Sequence, residues 1–129
     1  MSHYATLINF TRDTLGYRRE HEFYESIECS YQGEGTHPVP DLRKYVINGE
    51  LLIHIVDVDN PAHIERIMKA LIEAGMEDME DNGYDDFAAV LATDFVSGVK
   101  STALELFEEM DLGDDVQLHI VSKPLTDFL

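Results

Sequence analysis

The sequence predicts an α+β (mixed α/β) domain: an N-terminal antiparallel β-meander and hairpin, then β-α-β-α-β, with two amphipathic helices on one face of a mixed sheet. Three observations carry this. Asn48-Gly49 stands between two β-rich runs. Apolar residues recur at period two in the first half of the chain and at helical spacing in the second. The helical stretches alternate with short apolar runs, as crossover units require. At 129 residues with 44% apolar side chains, residues 1–129 make one globular domain able to bury about two-thirds of its unfolded surface.

In chain order, residues 4–10 read as a strand with Tyr4, Thr6, Ile8 and Phe10 on one face, followed by the turn Asp13-Thr14-Leu15-Gly16. Residues 22–32 read as a second strand. Phe23, Ile27, Cys29 and Tyr31 point one way and Ser26, Glu28, Ser30 and Gln32 the other, with Glu25 and Tyr24 out of pattern. Cys29 then lies on the apolar face as a small hydrophobe. Residues 33–40, with two glycines and two prolines, form a loop. RKYVI-NG-ELLIHIVDV is a hairpin, because Asn-Gly suits both positive-φ positions of a type I′ turn.

Asp59 or Asn60 can cap a helix whose first turn accepts Pro61. Ile64, Ile67, Met68, Leu71 and Ile72 share its buried face, and Gly75 is the expected terminator. Phe87 to Thr93 is a short buried strand, favoured over helix because it alternates with the helices on either side. Residues 95–110 form the second amphipathic helix, burying Val96, Val99, Ala103, Leu106, Phe107 and Met110. Residues 116–122 form the last strand, stopped by Pro124. Glu50 to Val56 and Asp115 to Val121 match in chemistry, with His54 and His119 equivalent. Shared strand composition accounts for the match, and a sharper reading makes them sheet neighbours with both histidines facing alike.

Charge is the dominant compositional feature. The chain stands at −17, and residues 70–122 hold fourteen acids and one base, Lys100. Such a field repels nucleic acid and anionic membrane and attracts cationic surfaces. The basic dipeptides Arg18-Arg19 and Arg43-Lys44 are too few for nucleic-acid binding. A single cysteine excludes an internal disulfide and fits the cytoplasm, as does an N-terminus without a secretory signal.

The stretch Glu77 to Asp86 resembles an EF-hand calcium loop over about twelve residues. Asp78 stands at position one, Glu80 at three, Asn82 at five, Gly83 at six and Asp86 at nine. Position twelve is Ala89 rather than the bidentate glutamate, and position eight is Asp85, so a solvated acidic loop is the expected state. His54, Asp57, Asp59 and His63 have ligand-like chemistry, but strand alternation sends His54 away from the aspartates. No cofactor, metal or catalytic residue is expected, and no nucleophile motif is present.

The acids themselves are the candidate site: Glu77, Asp78, Glu80, Asp81, Asp85 and Asp86 from one segment, and Glu105, Glu108, Glu109, Asp111, Asp114 and Asp115 from the next, with Tyr84, Phe87 and Met110 as apolar anchors. The expected function is that of a non-catalytic inhibitor or immunity protein that blocks a basic nucleic-acid-handling partner. A nuclease toxin is the first choice of partner, and a phage-encoded DNA mimic acting on a restriction or CRISPR effector is the second form. A calcium-binding regulatory module and a salt-adapted α/β domain are the alternatives, with a small hydrolytic enzyme behind them. Two stretches, Tyr45 to Glu50 and Thr102 to Ser122, resemble the barstar family of small acidic ribonuclease inhibitors over about a fifth of the chain. Their order is kept but the spacing and the middle elements are not, so the resemblance identifies no family.

Overall fold

The computed structural model describes residues 5–32 and 42–126. One five-stranded mixed sheet, ordered β1-β2-β3-β4-β5, organises the molecule. Strands β1 (Ile27–Gln32), β2 (Leu42–Ile47) and β3 (Leu51–Asp57) run antiparallel; β4 (Asp86–Thr93) and β5 (Val116–Ser122) continue parallel to β3. Helix α2 (Ile64–Asn82) connects β3 to β4, and α3 (Val96–Glu109) connects β4 to β5. The expected α+β architecture, with both helices on one face of a mixed sheet, is the one adopted.

The hairpin turn has Asn48 at φ 57 and Gly49 at φ 63, the two left-handed positions of a type I′ turn. After β3, the Asn60 side chain accepts from Ala62 N at 3.0 Å and Pro61 opens a short 3-10 turn, Pro61–His63, that leads into α2. Ile64, Met68, Leu71 and Ile72 are buried on the sheet, together with Val99 and Ala103 of α3. Leu52, Val56, Phe87, Ala89, Leu91 and Val116 form the sheet side of that core.

The opposite face carries a second core, and here the sequence expectation needs correction. Residues 4–10 were expected to be a strand, yet Ala5–Asn9 is helical (α1) and Phe10–Thr14 continues as a π-turn; Tyr4 lies outside the described residues. The alternation Thr6-Ile8-Phe10 coexists with a helical set, Leu7, Phe10 and Thr11, and the helical set is the one buried. Thr11 Oγ1 donates to Leu7 O at 2.8 Å, so even its hydroxyl is satisfied within the helix. Likewise the strand expected from residue 22 begins only at Ile27, because Phe23 and Tyr24 are both buried and adjacent strand residues cannot share a face. They sit in a 3-10 turn, His21–Tyr24, with rings edge-on at 5.1 Å, and Tyr24 Oη donates to Tyr17 O. This N-terminal layer covers Tyr45, Ile47, Ile53, Ile55, Val90 and Val121. The loop expected at 33–40 lies outside the described residues. Cys29, expected to be buried, is exposed on edge strand β1.

Two further expectations change. Gly75 does not end α2: the helix runs on to Asn82 and is capped by Gly83 at φ 71. Gly75 lies instead against the Phe87 ring, where a Cβ would overlap it. The echoing strands β3 and β5 are separated by β4, and the register aligns His54 with Leu118 and His119 with Ile55. The two histidines therefore face opposite sides of the sheet, and shared strand chemistry is all the echo reports.

Candidate functional site: an acidic pole

Parallel strands joined by helical crossovers have a polarity. β3, β4 and β5 begin at one end of the sheet, and both crossover helices return to that end, so the C-termini of α2 and α3 meet beside the starts of β4 and β5. Main-chain bonds tie the end together: Asp85 N and Asp86 N donate to Glu50 O at 2.9 and 3.0 Å, and Phe87 N to Asp115 O at 2.8 Å. Two acidic segments remote in sequence are thereby brought to one pole. Glu77, Glu80 and Asp81 occupy the last two turns of α2, Asp85 immediately precedes β4 and Asp86 opens it. Glu105, Glu108 and Glu109 close α3, Asp111 follows its cap, and Asp114 and Asp115 precede β5. All of these are exposed except Asp86, which is half-buried. Glu50 joins them from the hairpin turn; the parallel start of β3 and β4 is the signal that could have found it.

Among the described residues, none of these carboxylates makes an ion pair within 4 Å. The opposite end of the sheet differs. There Asp57 binds Arg43 at 2.9 Å, Asp59 binds Lys123, and Arg43 also donates to Thr126 O at 2.7 Å. Among the described residues, Arg19 lies over the Tyr17 and Phe23 rings at 5.7 and 5.8 Å and partly offsets Asp86. Burial nonetheless raises the Asp86 pKa, and Asp85 and Asp115 add to the rise. Burial also pushes the Tyr17 hydroxyl up to about 12, with Asp86 contributing and Arg19 opposing. Arg18 binds Asp13 instead.

Helix polarity adds to the charge. Each helix C-terminus carries roughly half a negative charge, and basic residues are preferred there. The last turns of α2 and α3 contain none. Asp111, moreover, takes φ 50, a left-handed position where glycine is the usual residue. Between the last turns of α2 and the start of β5 lies a groove of about 340 Å³ whose walls include Met76, Met79, Tyr84 and Val116, with Glu80 and Asp115 among its lining.

Two candidates sit elsewhere than expected. Asp78 points inward: it receives Lys44 Nζ at 2.7 Å and lies 3.2 Å from His54 Nε2. Burial would raise its pKa, but Lys44 and His54 outweigh that and hold it below its ordinary value. Phe87, expected as an anchor, is fully buried under α2 and stacks edge-on with His54 at 5.2 Å. Met110 is half-buried. The Lys44–Asp78–His54 cluster went unnoticed in the sequence, although strand alternation puts Lys44 and His54 on the face that α2 covers. With His54 only 1% exposed, the cluster pins α2 to the sheet.

The calcium-like stretch is not a loop: Asp78 to Asn82 is α-helical, so its donors radiate from an axis instead of converging on an ion. Among the described residues no three metal-capable side chains gather, and no helix is long and apolar enough to cross a membrane. No family model matches the chain, and neither curated proteins nor solved structures provide a match.

Proposed function

We propose that this protein is a non-catalytic inhibitor that uses its acidic pole to block a cationic, nucleic-acid-handling partner. The first form is an immunity protein set against a nuclease toxin in the cytoplasm, and the second a phage-encoded DNA mimic. One observation supports this above the rest: among the described residues, carboxylates from two distant segments gather without ion pairs where two helix dipoles are also negative, while at the other end of the same sheet Asp57 and Asp59 are paired with Arg43 and Lys123. Uniform salt adaptation gives no reason for that asymmetry. Charge of this kind steers encounter and sets salt sensitivity, and Tyr84, Met76 and Met79 along the groove supply apolar contact area.

The test is a pull-down at about 50 mM salt from the source organism, with the triple variant Glu108→Lys, Glu109→Lys, Asp114→Lys beside the wild type and Glu65→Lys as a charge change outside the pole. Recovery of a basic nuclease or effector by the wild type and Glu65→Lys, but not by the triple variant, is expected. Elution should be complete by about 0.5 M salt, since tenfold more ions shorten the screening length about threefold. Equal recovery by the triple variant, or no basic partner at all, would overturn the proposal.

A further inference from the structure

The two outer strands of the sheet are not alike. β1 carries Glu28, whereas β5, Val-Gln-Leu-His-Ile-Val-Ser, has no charged residue, proline or glycine, in a chain that is 27% charged. Sheet edges are ordinarily guarded by just such residues against pairing with another chain. Among the described residues, β5 pairs with β4 alone. Because Phe87 N donates to Asp115 O, alternation along a parallel ladder turns Asp115, Gln117, His119 and Val121 towards β4. The main-chain groups of Val116, Leu118, Ile120 and Ser122 therefore face outward.

We propose that β5 is the pairing edge of a two-fold symmetric dimer, in which two copies join β5 to β5 antiparallel and extend the sheet to ten strands. One register overlaps all seven residues: Val116 opposite Ser122, Leu118 opposite Ile120, and His119 opposite its own copy on the axis. It is also a register in which the outward main-chain groups of both strands exchange hydrogen bonds, since Leu118 and Ile120 are both outward-facing. Just beyond the strand Asp115 of one copy comes level with Lys123 of the other, which Asp59 of its own chain already holds, so that each lysine would bridge two carboxylates across the seam. The antiparallel arrangement also places each acidic pole beside the ion-paired end of the other copy, keeping the two poles far apart.

Two measurements test this on the full chain. Sedimentation equilibrium in about 0.15 M salt should show a dimer that tightens as salt rises, opposite to a complex with a cationic partner, so the two proposals fail separately. Asp115→Lys and Lys123→Glu should each weaken the dimer at least severalfold, and the double variant should restore it. In a Cys29→Ser background, His119→Cys should form a covalent dimer on mild oxidation, because directly opposed residues outside the hydrogen-bonded pairs sit about 4.5 Å apart at Cα, within disulfide range. Leu118→Cys, off the axis, should not. A chain that stays monomeric up to about millimolar concentration overturns the proposal. So does a dimer indifferent to both the charge exchange and the position of the cysteine.

Discussion

Gly75 illustrates how a single residue's role depends on what lies across from it. In a bare helix, Gly→Ala gains about 1 kcal/mol through backbone entropy. Here the added methyl would enter the Phe87 ring, which is fully buried between α2 and His54 and has no room to retreat. Overpacking of this kind costs about 1–3 kcal/mol. Set against the helical gain, Gly75→Ala should therefore destabilise the protein by about 1 kcal/mol net in urea unfolding, and Phe87→Leu in the same chain should recover part of the loss. A gain in stability would show that α2 does not approach β4 this closely. Asp78 offers a second residue-scale test. Its folded pKa lies below the ordinary 3.8, so the stability it contributes is present above about pH 4 and is lost as pH falls through the lowered folded value. Asp78→Asn keeps the shape but removes the charge that Lys44 and His54 meet. Its deficit should be about 1–2 kcal/mol at pH 7 and should shrink steadily as pH falls below about 4. A deficit independent of pH would assign the effect to shape alone.

At the scale of elements, the ends of α2 and α3 are built against helix electrostatics. A carboxylate in a last helical turn costs about 0.3–1 kcal/mol relative to a cation that would be favoured there. Glu108→Lys with Glu109→Lys should raise thermal stability by a few degrees while abolishing partner capture, and Asp111→Gly should add to the gain by relieving the left-handed backbone. Falling stability in these variants would mean the acids support the fold, and the case for a functional pole would weaken. The same elements show what a sequence can and cannot disclose. The Asn48-Gly49 hairpin was legible because its φ angles are a local demand that few residue pairs meet. The alternation of β4 and β5 with α2 and α3 was legible because hydrophobic period survives without knowledge of neighbours. Residues 5–14 were not, since strand and helix spacings both fit them and only the second core, assembled from Tyr45, Ile53 and Val90 far along the chain, selects the helix. The acidic residues of the site could be named from composition. The inward turn of Asp78 could not, because it depends on Lys44 lying beneath α2.

For the whole molecule, a net charge of −17 gathered largely towards one end predicts a specific response to salt. Two unit charges about 10 Å apart in water repel by about 0.4 kcal/mol, and the pole contains many such pairs. The unfolded chain spreads them out, so repulsion opposes folding. Raising ionic strength from about 0.01 to about 0.1 M shortens the Debye length from about 30 to about 10 Å, and only neighbouring acids then still sense one another. The urea-unfolding free energy at pH 7 should consequently rise by about 1–3 kcal/mol over that range and change little more by about 0.5 M. Potassium and sodium chloride should act alike, because screening depends on ion charge and concentration. This profile separates the acidic pole from adaptation to a saline cytoplasm. An adapted chain would be unfolded in dilute buffer and recover only near molar potassium chloride, whereas this one should be folded at about 0.01 M and saturate early. A flat response below about 0.1 M would show that the carboxylates stand too far apart to interact, leaving the pole without the field that would draw a cationic partner.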